Sequence, residues 1–367
     1  MKVTILTESI DIYIPLINKT LPTHSQVPIL SNILLVAKKD GLTLKATDLE
    51  LGIEIKIPAK IEAEGSVTVP GKEFLEVIAS LPKDKITLEL IKDTLTLQCR
   101  ASKVSFNTIP MEEFPQLYKN RGEEVARFGK GEFMDIFSYL VFAVSAEETR
   151  PQLTGVFINK KDEKIDFVAT DGYRMSVKTI SGGERKNISQ GLIISVKLIN
   201  EVMGLKNDKG DVVLRVNQQE NQVFFELGDV LFVGRMIEGG FPDYSGVLPK
   251  ESKTIITVDR EELLQSVKLA SVFAKDQSNV LTMEARGQAL HLATKASGVG
   301  EGEMVVDCEK KGEDVKIAFN ARFLQDLLRT VDAKTITLKL NSGLESALFE
   351  IKESNFKHVI MPVQVDN

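Results

Sequence analysis

One pattern of apolar and polar positions occurs three times along the chain. In each copy an apolar residue precedes a residue typical of helix starts, a cation follows two positions after that, and apolar residues then recur at helical spacing. The copies begin at Val69, Ile194 and Phe319, so that successive copies are spaced by 125 residues. This repetition predicts the same helix in three successive parts of the chain.

Strand patterns repeat with nearly the same period. Apolar and polar residues alternate in three stretches, which predicts half-buried strands at 86–90, 212–216 and 336–340. A further helical pattern opens each part of the chain; Pro15 interrupts the first of these helices, and Asp259 is the expected N-cap of the third.

The repeats predict three copies of one α+β domain of about 120 residues. Each copy should pack two helices on several antiparallel strands and is large enough to hold its own core. Matching Phe-Pro pairs occur at 114–115 and 241–242. The predicted domains are 1–122, 123–247 and 248–367.

The composition indicates a globular protein. Of the 367 residues, 43% are hydrophobic and 27% are charged, which suffices for a core in each repeat. No apolar run approaches the ~18 residues that a membrane helix needs, and no signal peptide opens the chain, so we expect a cytoplasmic protein. Cys99 and Cys308 have no CxxC or Cys/His cluster nearby, so no disulfide framework, metal site or cofactor is expected.

Catalytic motifs are absent from the sequence. There is no P-loop, GxGxxG, GxSxG or HExxH motif, and the three histidines are not spaced as ligands. Asp48 and Asp171 each follow a predicted strand and a threonine, where an aspartate most often closes a turn. Paired carboxylates for hydrolysis are the alternative. We expect no enzymatic activity, with a hydrolase using Asp48 and Asp171 as the competing hypothesis.

Three cations occupy the same position in the repeated helices. Lys72, Lys197 and Arg322 fall in the first turn, where the helix dipole disfavours positive charge. Their repetition indicates an external anion, and phosphate suits a basic side chain beside a helix N-terminus. Because the net charge is −6, a DNA-binding surface must be one face of an otherwise acidic body.

The end of the chain carries an apolar strip, Val359–Val363. Such a strip is usually the last core strand, but Pro362 cannot donate to a strand ladder and marks where the chain leaves the sheet. The apolar residues beyond it are therefore candidates for the lining of a surface groove.

Seven short motifs occur in order along the whole chain: Pro28–Asn32, Thr47–Glu50, Phe114-Pro115, Ala169–Met175, Phe241–Tyr244, Val247–Pro249 and Val359–Pro362. Together they resemble the bacterial DNA polymerase III beta subunit family, the replicative sliding clamps. The resemblance implies three clamp domains forming half of a closed ring. It also implies a head-to-tail homodimer that encircles duplex DNA and tethers replicative and repair polymerases as a processivity factor.

Simple geometry agrees with two chains per ring. If two helices per domain line the hole at ~10 Å spacing, six helices leave a hole of ~9 Å and twelve leave ~28 Å. Only the larger hole admits a duplex. A monomeric scaffold that binds protein alone is the remaining alternative, and the mass in solution separates it from the ring.

The resemblance assigns residues to three surfaces. The residues implied to face DNA are His24, Lys72, Arg150, Lys197 and Arg322. The dimer interface would join Val104 and Phe106 of one chain to Val272 and Phe273 of the other. The pocket for partner peptides, from the polymerase III catalytic subunit, the clamp loader and other clamp-binding-motif proteins, maps onto Leu153, Thr170, Gly172, Tyr173, Arg174, Met175, Pro242, Val247, Val359, Ile360, Met361, Pro362 and Val363.

The chain departs from the family pattern near this pocket. Gln364 stands where an arginine is common, and the tail continues to Asn367. Ser245 and Gly246 replace expected basic residues. The departures bear on which peptides the pocket prefers.

Overall fold

The computed structural model describes residues 1–23, 25–183, 188, 191–206, 210–249, 251–274, 279–296 and 300–364. Contacts divide the chain into two compact units. The first unit comprises Met1–Phe133, Arg185–Ile188 and Lys197–Met236, and the second comprises Met134–Glu184, Ser189–Val196 and Ile237–Asn367. The second predicted repeat therefore contributes to both units.

The described residues form helices and antiparallel strands. The helices are α1 (Thr7–Asp11), α2 (Ile14–Thr20), α3 (Gly71–Ser80), α4 (Lys130–Val141), α5 (Val196–Gly204), α6 (Arg260–Ala274) and α7 (Ala321–Thr330). The strands are β1 (Lys2–Leu6), β2 (Asn32–Lys38), β3 (Gly41–Thr47), β4 (Leu51–Ile57), β5 (Lys60–Ala63), β6 (Gly65–Pro70), β7 (Lys85–Ile91), β8 (Thr94–Cys99), β9 (Ser102–Asn107), β10 (Glu123–Gly129), β11 (Gly155–Lys161), β12 (Lys164–Thr170), β13 (Arg174–Ser181), β14 (Leu192–Ser195), β15 (Asp211–Asn217), β16 (Gln222–Leu227), β17 (Val230–Arg235), β18 (Thr254–Asp259), β19 (Val280–Arg286), β20 (Ala289–Ala296), β21 (Gly300–Gly312), β22 (Val315–Asn320), β23 (Thr335–Leu340), β24 (Ala347–Ile351) and β25 (Phe356–Ile360).

The repeated helix is confirmed. Helices α3, α5 and α7 begin at equivalent positions of the three repeats. In α7 the side chain of Asn320 accepts a hydrogen bond from the backbone N–H of Arg322, and in α6 the predicted N-cap Asp259 accepts from two backbone N–H groups. The expected break at Pro15 falls instead just before it, because proline is tolerated in the first turn of α2.

The first unit contains two antiparallel sheets. One has the strand order β5-β1-β7-β8-β9, and the other has the order β10-β15-β16-β17-β4-β3-β2-β6. Helix α3 buries Phe74, Leu75 and Ile78, and α5 buries Leu198, Ile199 and Val202. The helical spacing of these apolar residues is what places them on one face.

The second unit is built on one sheet of twelve strands in the order β14-β11-β12-β13-β25-β24-β23-β18-β21-β20-β19-β22. Helices α6 and α7 pack on it through Leu263, Val267, Leu324 and Leu327, which share a core with Phe319 and Phe349. The predicted α+β class with antiparallel sheets is confirmed.

Neighbouring repeats share sheets within each unit. Strand β17 of the second repeat pairs with β4 of the first, with Val233 opposite Gly52. Strand β25 of the third repeat pairs with β13 of the second, with Val359 opposite Met175. Edge strands carry unpaired backbone groups, and pairing between repeats satisfies them. The repeats remain clear in chain order, and the boundaries after residues 122 and 247 stay predictions.

Candidate functional site

A groove lies on the surface of the second unit and has a cavity volume of about 330 Å³. It is formed by the turn between β12 and β13, the segment 241–247 and the end of β25. Its lining residues are Arg150, Leu153, Thr170, Gly172, Tyr173, Arg174, Met175, Phe241, Pro242, Asp243, Tyr244, Val247, Val359 and Met361. Ten of the thirteen residues that the resemblance assigned to the peptide pocket are among them.

The turn at one side of the groove is fixed by hydrogen bonds to its own side chains. Thr170 Oγ1 accepts from the N–H of Gly172 and donates to the carbonyl oxygen of Arg174. Asp171 Oδ1 accepts from the N–H groups of Tyr173 and Arg174, at 2.9 Å each. Gly172 adopts a φ of 93°, which glycine tolerates best. The prediction that Asp171 closes a turn is confirmed.

Arg174 is held inside the second unit. Its Nε donates to Asp171 Oδ2 at 3.0 Å, Nη1 donates to Asp326 Oδ2 at 2.8 Å, and Nη2 donates to the carbonyl oxygen of Phe142 at 2.6 Å. Arg174 lines the groove as expected, but these partners already use its guanidinium. Its role is to join the turn to α7 and to the end of α4.

The floor of the groove is apolar. Met175 and Val359 lie opposite each other on β13 and β25, are almost fully buried, and pack in one cluster with Tyr244. Tyr244 Oη donates to Asp166 Oδ2 at 2.8 Å and accepts from Asn159 Nδ2 at 3.0 Å. Burial, together with the Asp166 carboxylate, raises the pKa of Tyr244. The Tyr244 phenol is therefore uncharged, and its two hydrogen bonds fix its position in the groove lining.

The C-terminal strip is the last core strand, as predicted, but the described apolar residue beyond Pro362, Val363, is not among the lining residues of the groove. Residues 356–360 form β25 inside the sheet, and Met361 leaves it with its N–H donating to the carbonyl oxygen of Tyr173 at 2.9 Å. Assigning Ile360 to the groove was wrong, because strand alternation turns its side chain to the opposite face, into the core. Pro362 and Val363 lie half-buried beyond the described lining, and Gln364 is exposed. Val365–Asn367 fall outside the described residues.

Four lining residues were not assigned to this groove from the sequence. Phe241, Asp243 and Tyr244 belong to a quoted motif, and the stacking of Phe241 on Phe157 at 4.5 Å explains their position. Arg150, which the resemblance implied for DNA, lies at the groove instead, and its guanidinium covers Gly172. No sequence pattern near Arg150 indicates whether its side chain lies at the groove or on the DNA-facing surface.

His358 is a core residue. It is fully buried on β25, and its Nδ1 hydrogen-bonds Ser176 Oγ at 2.8 Å. Burial lowers the pKa of His358 to about 3, with a smaller contribution from Arg174. Among the described residues, no cluster of three or more His, Cys, Asp or Glu side chains is placed to bind a metal ion.

The repeated cations have different surroundings. Lys72 on α3 and Arg322 on α7 are exposed at the starts of their helices. Lys197 on α5 lies 2.6 Å from Asp48 Oδ2 and 3.4 Å from Glu50 Oε2. Burial opposes the charge of Lys197, but the hydrogen bond and charge of Asp48 outweigh it and raise its pKa. His24 lies outside the described residues.

Each unit exposes a strand edge at residues implied for the dimer interface. Strand β9 ends the five-stranded sheet, as expected for Val104 and Phe106. In β21, residues 300–307 pair with β20 on one side, and β18 reaches only residues 308–312 on the other. Beside this edge, the side chain of Val272 is 61% exposed and Phe273 lies against Gly300 and Gly302.

Phe106 is less available than the resemblance implied. It is only 7% exposed, and its ring packs edge-to-face on Phe74 at 5.7 Å within the first unit. Val104 is half-buried on the same strand. The exposed apolar area on the candidate interface therefore lies chiefly on the α6 side, at Leu269, Val272 and the edge residue Val305.

Comparisons with known proteins agree with this architecture. Models of the N-terminal, central and C-terminal domains of the DNA polymerase III beta subunit match residues 1–118, 129–243 and 245–364. The beta sliding clamp of Synechocystis sp. is 30% identical, over 94% of both chains. The solved clamp of Bacillus subtilis superposes over 100% of both chains with a TM-score of 0.94 at 24% identity. A Pseudomonas aeruginosa clamp, solved bound to griselimycin, covers 100% of this chain at a TM-score of 0.92 and 23% identity.

The fold with three repeated clamp domains defines a replicative processivity factor, which acts without catalysis. The chain belongs to the DNA polymerase III beta subunit family, the bacterial sliding clamps. Asp48 and Asp171 each accept backbone N–H groups within their own turns, as predicted for turn-closing residues. No helix in the described parts of the chain combines the length and apolar character needed to cross a membrane.

Proposed function

We propose that two copies of this chain join head to tail into a ring that encircles duplex DNA, holding polymerases on it through the groove of the second unit. The observation that carries the proposal is family membership over nearly the whole chain, combined with a strand edge in each unit at the residues implied for the dimer interface. A heterologous contact whose rotation closes gives a ring rather than a filament.

The interface we propose pairs β9 of one chain with residues 300–307 of β21 in the other. Strand addition supplies main-chain hydrogen bonds to groups left unpaired in each unit. Val272 and Phe273 then bury their apolar surface against Val104 and against the small exposed part of Phe106. The exposed fraction of Val272 makes it the main anchor among these side chains.

The DNA surface we propose uses the exposed Lys72 and Arg322. Lys197 contributes too, although Asp48 and Glu50 already neutralise part of its charge. Contacts of this kind reach phosphates and carry no sequence information. His24 belongs to this surface by resemblance alone. We place Arg150 at the partner groove, where its guanidinium lies over Gly172.

The groove is proposed to bind short segments of the polymerase III catalytic subunit, other polymerases, the clamp loader and other clamp-binding-motif proteins. Met175, Val359, Val247 and Met361 offer an apolar surface, and two of these are methionines that adapt to different partners. We also propose that griselimycin, bound in the Pseudomonas aeruginosa structure, occupies this groove here.

The chain would act on DNA in the cytoplasm, and we propose 1–122, 123–247 and 248–367 as the domain boundaries. These boundaries keep each repeated helix pair in one domain, although β4–β17 and β13–β25 pairing crosses them.

The decisive experiment is retention on DNA of different topology. The protein, placed on nicked circular DNA by its loader, should stay bound through gel filtration and should be lost when the circle is cut. Only topological linkage predicts that contrast. Equal retention on circular and linear DNA would contradict the ring, and a mass of one chain at micromolar concentration would favour the monomeric scaffold.

A second experiment locates the partner site. Overlapping 12-residue peptides of the polymerase III catalytic subunit are screened for binding to the full-length protein, and the tightest is called the reference peptide. Met361→Asp, at the groove rim, should abolish its binding and that of griselimycin, while Lys72→Glu should leave both unchanged. Wild-type affinity of Met361→Asp for the reference peptide would place the site elsewhere.

A further inference from the structure

The turn between β3 and β4 in the first unit has the same hydrogen bonds as the turn at the groove. Thr47 Oγ1 accepts from the N–H of Leu49 and donates to the carbonyl oxygen of Leu51. Asp48 Oδ1 accepts from the N–H groups of Glu50 and Leu51. The residue matching Gly172 is Leu49, and it too has a positive φ, of 78°.

The strands beneath the two turns also match. Gly52 lies opposite Val233 across β4 and β17, as Met175 lies opposite Val359 across β13 and β25. One residue beyond Gly234 is Arg235, in the place that Met361 takes after Ile360. Pro115 and Leu117 follow Phe114 as Pro242 and Tyr244 follow Phe241.

A pocket occurs at this matching place in the first unit. Its lining residues include Thr47, Leu49, Glu50, Gly52, Val233 and Arg235, and its volume is about 110 Å³, against about 330 Å³ for the groove. We call it the first-unit pocket. Two units of the chain therefore place a cavity at the same point of the repeat.

The following differences from the groove all disfavour the binding of an apolar peptide segment in the first-unit pocket. Leu49 puts a side chain where Gly172 has none. Charged Glu50 and Arg235 stand in place of Tyr173 and Met361. Over Gly52, which replaces Met175, the space is taken by Leu117, whose Cδ2 lies 3.2 Å from the point a β-carbon on Gly52 would occupy.

The backbone conformation of Leu49 indicates that its side chain has a function in the first-unit pocket. A leucine at positive φ carries backbone strain that glycine avoids, and such strain is kept where the side chain has a use. Leu49 is nevertheless 54% exposed, so burial in the core does not explain it.

We infer that the first-unit pocket is a closed copy of the partner groove, and that the residue at the Gly172/Leu49 position decides whether a copy accepts a partner segment. The inference rests on the proposed partner function of the groove. The chain then binds one apolar peptide segment, because in the groove only the end of the flexible Arg150 side chain lies over Gly172, whereas the side chain of Leu49 closes the copy.

The first test transfers the closing residue. Gly172→Leu should weaken the reference peptide at least tenfold, while the fold tolerates it because Leu49 adopts the same turn. Gly172→Ala is the matched control: it adds a β-carbon at the same φ without the bulk, and should lose less than threefold. Wild-type affinity of Gly172→Leu, or an equal loss in Gly172→Ala, would overturn the inference.

The second test opens the copy. In the Gly172→Leu background, Leu49→Gly with Glu50→Tyr, Leu117→Ala and Arg235→Met should restore peptide binding, now sensitive to Val233→Asp in the first unit. Leu49→Gly alone should not lower the melting temperature, because it relieves strain. A folded, opened variant that binds no peptide would overturn the inference. A failure of the proposed function would give a different result. The wild-type protein would then bind no polymerase peptide, or Met361→Asp would bind the reference peptide as tightly as the wild-type protein does.

Discussion

Nη1 of Arg174 lies 2.8 Å from Oδ2 of Asp326, which ties the first residue of β13 to the middle of α7. The same guanidinium lies over the ring of Phe323, 4.4 Å from its centroid. Within the second unit, this ion pair therefore connects the groove to helix α7, whose first turn carries the candidate DNA contact Arg322.

Removing Arg174 should destabilise the second unit. Its side chain is 9% exposed and has three acceptors, so Arg174→Ala leaves Asp326 and Asp171 without their cation. We expect a loss of about 3 kcal/mol in the free energy of unfolding, measured by urea denaturation. Lys357→Ala, at an exposed position on β25, serves as the control and should change stability by less than ~0.5 kcal/mol. Equal stability of the two variants would show that the ion pair contributes little.

Phe106 and Val272 should separate folding from assembly. Phe106→Ala removes a buried ring packed on Phe74 and should lower the free energy of unfolding by about 3–5 kcal/mol. Val272→Asp changes an exposed side chain and should leave thermal stability of the single chain nearly unchanged while producing monomers in sedimentation velocity. A Val272→Asp variant that sediments as a dimer at low micromolar concentration would move the interface elsewhere.

Charge reversal of the repeated cations should flatten the salt dependence of DNA binding. Each phosphate contact contributes roughly one to the slope of log affinity against log salt, so Lys72→Glu with Arg322→Glu should reduce the slope by about two per chain, or about four for the dimer. Adding Lys197→Glu should reduce it by less than one more per chain, because Asp48 and Glu50 already pair with that lysine. The measurement is fluorescence anisotropy on a short duplex, and an unchanged slope in the triple variant would remove these residues from the DNA surface.

The buried His358 predicts a loss of stability in weak acid. In the unfolded chain its pKa is near the ordinary 6.5, and burial lowers it to about 3 in the folded protein. The unfolded chain is protonated first as the pH falls, so the histidine lowers the free energy of unfolding progressively between pH 6.5 and about 3. The slope is at most ~1.4 kcal/mol per pH unit.

Replacing this histidine tests that assignment. His358→Gln keeps a hydrogen-bonding group near Ser176 and should make the free energy of unfolding less dependent on pH below ~6.5. Urea denaturation of both proteins over the same pH range gives the comparison. A histidine ring that titrates near its ordinary pKa in NMR of the folded protein would contradict the burial argument.

The repeat and its helices could be predicted from sequence because their signals are local. Apolar residues at helical spacing and capping residues such as Asn320 and Asp259 act within a few positions of themselves. The turn function of Asp48 and Asp171 was equally accessible, since both side chains bond to the backbone two and three residues ahead.

Features that depend on distant partners escaped the sequence. Phe106 is buried because it packs on Phe74 of α3. Arg174 is unavailable to a ligand partly because its guanidinium donates to Asp326 of α7. Ile360 was misassigned because the apolar strip looks continuous in sequence while alternate residues point to opposite faces of β25. Arg150 was predicted to face DNA and not the groove, because its place at the groove depends on its contact with the distant turn at Gly172.

The pairing of β4 with β17 and of β13 with β25 has a consequence for synthesis on the ribosome. Strand β4 pairs with β17 only after Val230, the partner of Ile55, has been synthesised. Strand β13 pairs with β25 only after Val359, the partner of Met175, has been synthesised. Contacts between residues so far apart in sequence form slowly, and an unpaired edge attracts other chains in the meantime. A nascent chain stopped between residues 133 and 230 should therefore expose β4 and be the form that most needs a chaperone.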